Sequence, residues 1–103
     1  MQLRKYRWSK DYESAEEELV HILAAKNIDA ERWTGDEYEE YSPRTDKTDK
    51  RLWCVEGSIE FTIDSKKISL QAGDAFELPA GTTYQAIAGF SGVVCYESPA
   101  PIV

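Results

Sequence analysis

The residues of this chain that are best suited to bind or transform a ligand lie in a charged segment between residues 43 and 51. Basic and acidic side chains alternate there: Arg44, Asp46, Lys47, Asp49, Lys50 and Arg51. Because the whole chain has a formal net charge of −7, a local excess of basic residues is unusual. Two interpretations are open. The segment is a solvated loop whose charges pair with one another, or it creates a local positive field that attracts an anionic ligand.

Histidine and cysteine, which often perform catalysis, are scarce. His21 is the only histidine, and no second histidine or cysteine lies at ligand spacing from it, which predicts a structural or solvent-facing role. Cys54 and Cys95 are the only cysteines. Without a recognisable export signal, we expect them to be free, buried thiols. Histidine is the usual general base near neutral pH, and in an enzyme built on this chain a tyrosine or lysine with a shifted pKa could replace it.

Length and composition predict one globular domain. The chain has 103 residues, of which 42% are hydrophobic and 12% aromatic. Its negative charge argues against sequence-independent binding to nucleic acid and against docking on an anionic membrane. No apolar run approaches the roughly 20 residues of a membrane span. The basic start is not followed by an apolar signal core, so we expect a cytoplasmic protein.

A short amphipathic helix is predicted over residues 14–26. Ser14 and Glu17 have the spacing of a capping box, in which each side chain bonds to the other residue's backbone amide. The residues near helical spacing form an apolar stripe with one polar end: Ala15, Leu19, Ile22, Leu23 and Lys26. Asn27 is the predicted end of the helix. Such a stripe needs a packing partner elsewhere in the chain.

From residue 31 onward the hydrophobic period changes to two, which predicts β-strands. Ile59, Phe61 and Ile63 alternate with polar residues, and Asp64 with Ser65 predicts a hairpin turn. The other predicted strands are residues 31–34, 38–41, 52–55, 68–70, 76–78, 84–87 and 93–97. Short strands with turns at intervals of roughly 8 to 12 residues are typical of an antiparallel sandwich or barrel. Residues 98–101 are predicted to form a tail or an extended segment lying on a neighbour.

Two segments resemble the two sequence motifs of the cupin superfamily. Residues 53–61 are similar to the end of the first motif, where a strand enters a glycine turn at Gly57. Residues 73–84 resemble the second motif, with its glycine–proline framework in register: Gly73, Pro79 and Gly81. The resemblance extends over residues 33–97, about two-thirds of the chain.

The resemblance implies an all-β fold, a cupin-type antiparallel jelly-roll barrel with a short N-terminal amphipathic helix. We expect residues 1–30 to be a strand and helix extension packed on the barrel, and residues 31–103 to be the barrel domain. Small cupins tend to pair, so the resemblance also implies a homodimer. Trp8, Trp33 and Trp53 are then either core and interface residues or the walls of a cavity for a ring-shaped ligand.

The resemblance also implies a metal site, but unsuitable residues occupy its ligand positions. The two histidine positions of the first motif fall on Arg44 and Asp46, and its acidic position falls on Lys50. The histidine of the second motif falls on Tyr84. A guanidinium has no lone pair to donate, and an ammonium repels a cation, so we expect no metal and no cofactor. These four residues remain as candidate ligand-binding residues, unless they pair and fill the interior.

Two classes of function fit these expectations. The first is a metal-free small-molecule binding or interaction module, possible ligands being anionic metabolites because Arg and Lys suit a carboxylate or phosphate. The second is a metal-independent, isomerase-like enzyme acting on a small anionic or sugar-derived metabolite. Because a fold does not determine a function, the sequence leaves both classes open.

Overall fold

The computed structural model describes residues 2–10 and 13–100, except for the side chain of Ala100. Antiparallel strands enclose the core, and one helix packs outside them. The elements in chain order are β1 (Arg4–Arg7), α1 (Ala15–Ala25), β2 (Glu31–Gly35), β3 (Glu40–Thr45), β4 (Asp49–Ile63), β5 (Lys66–Gln71), β6 (Asp74–Leu78) and β7 (Thr83–Ala100). The predicted all-β jelly-roll class is confirmed.

The long strands β4 and β7 each belong to both walls of the barrel. The first half of β4 pairs with β6 and with the end of β7, whereas its second half pairs with β5 and with the start of β7. The change occurs at Gly57, where the pairing register shifts and the backbone φ is +72°. Strands β1 and β2 complete one wall, and β3 completes the other beside β7. The bend allows two strands to wrap around one core.

The sequence pattern predicted two separate strands in place of each of these long strands, and that prediction is wrong. Residues 52–55 and 59–63 are parts of β4, and residues 84–87 and 93–97 are parts of β7. Of the two alternatives predicted for residues 98–101, the tail is wrong for residues 98–100, which are extended and pair with residues 49–51 of the neighbouring strand β4. A bulge at a left-handed glycine has the sequence signature of a turn, although the strand continues through it. Pro101 lies outside the described residues.

Helix α1 begins and ends close to its predicted bounds, and Asn27 has the left-handed φ of +56° that stops it. The predicted capping box is wrong, because the side chain of Ser14 makes no cap hydrogen bond. The backbone of Ser14, with φ −114° and ψ 20°, lacks the extended conformation of a serine N-cap. His21 is exposed on this helix. In the described part of the chain, no helix is long and apolar enough to cross a membrane.

Alternation along β4 divides the apolar residues between two clusters. Leu52 and Cys54 point into the barrel, where they join a core that includes Phe61 and Phe76. The intervening side chains point outward, where the apolar stripe of α1 covers them: Trp53 and Val55 pack with Leu19, Leu23 and Ala75. Both faces of β4 are therefore buried between Leu52 and Val55. Cys54 and Cys95 lie opposite each other on β4 and β7 as free, buried thiols, which confirms the sequence expectation.

Candidate ligand-binding site

The structure brings the four candidate residues together at one end of the barrel. Arg44 lies near the end of β3, directly opposite Tyr84 on β7. Asp46 follows in the turn, and Lys50 is the second residue of β4. The turn is held in place because the amide of Gly81 donates to the carbonyl oxygen of Asp46 at 2.9 Å. The segment that resembles the second cupin motif, residues 73–84, thus orients the charged segment.

The Lys50 ammonium is the centre of the site. Its three N–H groups meet three oxygen atoms, because Nζ lies 2.6 Å from the Tyr84 hydroxyl, 3.0 Å from Asp46 Oδ2 and 3.1 Å from Glu97 Oε2. The Lys50 side chain is only 9% exposed. An ammonium this well buried needs such partners, because burying an unpaired charge is very unfavourable.

Asp46 links the remaining residues to Lys50. Its Oδ2 accepts a hydrogen bond from the Tyr84 hydroxyl at 2.8 Å, and its Oδ1 accepts one from Arg44 Nη2 at 2.8 Å. The Arg44 side chain is 62% exposed, so it stands at the outer edge of the group. Two cations therefore face two carboxylates, Asp46 and Glu97, and the four charges balance.

These contacts hold each group in one charge state. Burial alone would raise the pKa of Asp46, but hydrogen bonds from Lys50, Tyr84 and Arg44 outweigh burial and lower the pKa to about 2. Burial alone would lower the pKa of Lys50, yet its hydrogen bonds to Tyr84 and Asp46 leave that pKa raised. Burial raises the pKa of the Tyr84 hydroxyl. Near neutral pH, Lys50 and Tyr84 are protonated and Asp46 is ionised.

Two cavities meet at this group of residues. The larger is a polar cleft of about 550 Å³ between the charged segment, the start of β2 and the end of β7. The smaller is an apolar cavity of about 270 Å³ within the barrel, lined mostly by aromatic and aliphatic side chains: Trp33, Tyr41, Leu52, Phe61 and Tyr84. Arg44, Lys50 and Glu97 line both spaces. The polar residues thus form the boundary between a charged cleft and an apolar interior.

Two residues of this site, Glu97 and Tyr41, were not among the sequence-based candidates, and a third, Trp33, was a candidate without a defined position. Glu97 lies on a strand with no motif, so only the pairing of β4 with β7 reveals its approach to Lys50. Trp33 was one of three tryptophans proposed for a cavity wall or for the core, and only Trp33 lines the apolar cavity. Tyr41 lies beside it, with the two rings edge to face and 5.7 Å apart between centroids.

The residues present do not fit a metal ion. In the part of the chain that the structure describes, no three histidine, cysteine, aspartate or glutamate side chains form a group that could hold one. At the positions that the cupin resemblance assigns to ligands, the oxygen atoms of Asp46 and Tyr84 already bond to an ammonium. Coordination would place a metal ion against the positive charge of Lys50.

Comparison with known proteins identifies the architecture. No protein-family model matches the sequence, and no curated protein matches it. Among solved structures, the chain is similar to a DUF861 family protein from Thermotoga maritima (TM-score 0.68, 18% identity), over 96% of this chain and all of that one. It is also similar to an RmlC-like cupin from Shewanella frigidimarina (TM-score 0.62, 22% identity, 71% of this chain and 65% of that one).

A third similar structure is that of KdgF from Halomonas, with a TM-score of 0.58 and 28% identity over 69% of this chain and 67% of that one. The strand order, the glycine bulge and these likenesses agree with the two sequence motifs. The chain therefore has the fold of a small cupin-superfamily domain.

Proposed function

We propose that this protein is a metal-free module that binds a small anionic molecule at the end of its barrel. The observation that carries the proposal is the junction of an apolar cavity with a charged boundary. Ligand sites are commonly apolar clefts in which a few polar groups fix the ligand's orientation, and the mouth of a β-barrel is a frequent location for them. The hydrocarbon part of the ligand occupies the apolar cavity, and its anionic group faces Arg44.

Arg44 is the residue best suited to bind that anionic group. Lys50 has no spare N–H group, since all three donate to Tyr84, Asp46 and Glu97. Arg44 uses Nη2 for Asp46, and a guanidinium has five N–H donors in a planar fork that matches a carboxylate or phosphate. Its exposure at the boundary lets a ligand approach from the cleft.

Binding is favoured over catalysis by the charge states of the site. A general acid or base works best when its pKa lies near the operating pH. The pKa of Asp46 lies far below neutrality, and those of Lys50 and Tyr84 are raised above values that are already near 10. None of these three groups exchanges a proton readily at pH 7. The isomerase-like alternative therefore has no suitable base among them.

A thermal-shift screen tests this proposal. Wild-type protein is heated with carboxylates, phosphates and neutral sugars, because a ligand that binds only the folded state raises the melting temperature. We expect some of the anions, and none of the sugars, to raise it. Arg44→Ala should abolish the shift, whereas Lys47→Ala removes an exposed cation from the same segment and should preserve it. Equal stabilisation by neutral sugars, or an undiminished shift in Arg44→Ala, would contradict the proposal.

A further inference from the structure

We propose that the apolar cavity selects a carboxylate whose body is an unsubstituted hydrocarbon, and that it rejects hydroxylated carboxylates such as sugar acids and hydroxy acids. The inference rests on the proposed function, because the anionic group at Arg44 directs the rest of the ligand into the barrel. The observation that decides the ligand class is which atoms the cavity wall presents to a bound molecule. The ligand is therefore a small hydrocarbon monocarboxylate.

Trp33 and Tyr41 form part of the cavity wall, but their polar atoms do not reach the cavity. Trp33 Nε1 and the Tyr41 hydroxyl are both buried, and neither has a hydrogen-bond partner among the described residues. The hydroxyl lies within the barrel wall against Gly35, where a Cβ atom on that glycine would overlap it. A molecule inside the cavity thus contacts the carbon atoms of the two rings.

The charged residues that border the cavity are occupied or lie at its boundary. Lys50 donates to Tyr84, Asp46 and Glu97, and the Tyr84 hydroxyl donates to Asp46. Glu97, like Arg44, lines both the cavity and the polar cleft, so it borders the anionic end of the ligand rather than its body. The charged group therefore supplies no hydrogen-bond partner deeper in the barrel.

Thr34 is the remaining polar residue of the lining, and strand pairing turns its side chain away from the barrel. Its partner on β7 is Val94, which packs with the outer cluster that α1 covers. Residues that pair across antiparallel strands project to the same face of the sheet. Leu52 and Phe61 complete the lining with aliphatic and aromatic carbon. Away from the boundary, no side chain in the described part of the chain offers a hydrogen-bonding group to the cavity.

This lining determines which ligand bodies are accepted. A hydroxyl that leaves water for such a wall loses its bonds to water and gains none, which is unfavourable. A bridging water needs roughly two to four polar partners, which the wall does not supply. A methyl or methylene group in the same position is favourable, because apolar surface leaves water. The volume of about 270 Å³ lies just below the roughly 300–1,000 Å³ of pockets for drug-sized ligands, so the body is short.

Matched carboxylates test the selection on the wild-type protein. Heptanoate and 6-hydroxyhexanoate have equal numbers of non-hydrogen atoms and differ only in a terminal methyl against a terminal hydroxyl. Hexanoate and gluconate share a six-carbon chain, to which gluconate adds hydroxyls. By calorimetric titration, we expect heptanoate to bind about tenfold or more tightly than 6-hydroxyhexanoate, and gluconate to show no measurable binding. A difference of less than about threefold between heptanoate and 6-hydroxyhexanoate would overturn the inference.

A series of straight-chain carboxylates from butyrate to dodecanoate measures the size of the site. Each added CH₂ should tighten binding about fourfold while it enters the cavity, and the gain should stop by about ten carbons, when the cavity is filled. Leu52→Val removes a methylene from the cavity wall and should move this limit to a longer chain. Leu70→Val removes the same group from the same core outside the cavity and should leave the limit unchanged. A gain that continues through dodecanoate, or an equal effect of both variants, would contradict the inference.

Phe90→Ala is the control for binding at the outer surface. It removes a large exposed apolar side chain that does not line the cavity, and it should leave the affinity for heptanoate unchanged. Loss of heptanoate binding in this variant would locate the hydrocarbon outside the barrel and would overturn the inference.

Failure of this inference is distinguishable from failure of the proposed function. If hexanoate and gluconate bind equally and Arg44→Ala abolishes the binding of both, the anion site stands and the selection of a hydrocarbon is wrong. The same conclusion follows if inorganic phosphate binds in an Arg44-dependent manner and heptanoate does not. If no anion of any class binds to wild-type protein, both proposals are wrong.

Discussion

The ammonium of Lys50 lies among the residues at which the cupin resemblance places metal ligands. Its three hydrogen bonds to Tyr84, Asp46 and Glu97 satisfy the acceptors that would otherwise be available to a cation. Removing any one of these charges is unfavourable, because it leaves the opposite charge buried without its partner. The side chain of a lysine thus offsets the negative charge at this end of the barrel.

Replacing Lys50 should therefore be harmful to stability. Lys50→Met keeps a side chain of similar length but leaves the Asp46 and Glu97 carboxylates without their shared cation. We expect the free energy of unfolding to fall by about 3 kcal/mol. Arg44→Ala removes an exposed partner of Asp46 and should lose less than about 1 kcal/mol. Urea titrations of both variants give the two values. A Lys50→Met protein as stable as wild type would show that the group contributes nothing to the fold.

Asp46 should make the stability depend on pH in the acid range. Its folded-state pKa of about 2 lies below the ordinary value of an aspartate. The stability from this shift is fully present above the unfolded pKa near 4, and it is lost as the pH falls toward 2. We expect a contribution of no more than about 2 kcal/mol, because the group is partly accessible to solvent.

The measurement is the free energy of unfolding between pH 5 and pH 2 for wild type and Asp46→Asn. The variant should be less stable near pH 5, and its stability should fall less steeply with acid. Asp36→Asn, an exposed aspartate that belongs neither to the site nor to its turn, serves as the control. Parallel curves for wild type and Asp46→Asn would contradict the assigned shift.

Most elements could be predicted from the sequence, since hydrophobic periods and turn residues are local signals. The hairpin at Asp64 and Ser65 is an example, and both residues have the positive φ of a tight two-residue turn. The continuity of β4 through Gly57 could not be predicted, because a bulge and a turn use the same residue. The contact between Glu97 and Lys50, which are 47 positions apart, depends on the pairing of β7 with β4, and this pairing leaves no local signal in the sequence.

Two glycines separate the effect of backbone conformation from that of packing. Gly57 and Gly81 both have a left-handed φ, of +72° and +81°. A Cβ atom at residue 57 would overlap the backbone oxygen of Gly92, whereas one at residue 81 would have no atom within 4 Å. Gly81→Ala should lose about 1–2 kcal/mol of stability from conformational strain alone. Gly57→Ala should lose at least about 3 kcal/mol, because β7 must also move away.

Thermal or urea unfolding of the two alanine variants provides the comparison. Equal losses would show that the two long strands are not tightly packed at the bulge. A larger loss for Gly57→Ala would support the close approach of β4 and β7, on which the position of Glu97 beside Lys50 depends.

The assembly of the whole molecule is predicted to be a homodimer. The described part of the chain exposes two large aromatic side chains, Tyr38 at 62% and Phe90 at 72%. They lie on neighbouring segments, because the amide of Tyr38 donates a hydrogen bond to the carbonyl oxygen of Gly89. Exposed aromatic groups of this size agree with the expectation that one chain cannot bury all its apolar surface. Light scattering at tens of micromolar should give twice the chain mass of 11.7 kDa. A monomer mass would contradict this prediction.

The purified protein should also carry no stoichiometric transition metal. Elemental analysis of protein prepared without a histidine tag should give well under one metal per chain. A chelator should leave the melting temperature unchanged, because no free energy of metal binding is linked to folding. A loss of several degrees on chelation would mean that metal ligands lie elsewhere in the chain.

A crystal structure grown with the tightest-binding carboxylate probe tests the central proposal most directly. We predict density for the carboxylate group within hydrogen-bonding distance of the Arg44 guanidinium and for the body of the probe in the apolar cavity beside Trp33 and Phe61. The Lys50 ammonium should keep its contacts with Asp46 and Glu97. A barrel interior filled by the side chains of Trp33 and Tyr41, with the probe bound elsewhere or absent, would contradict the account.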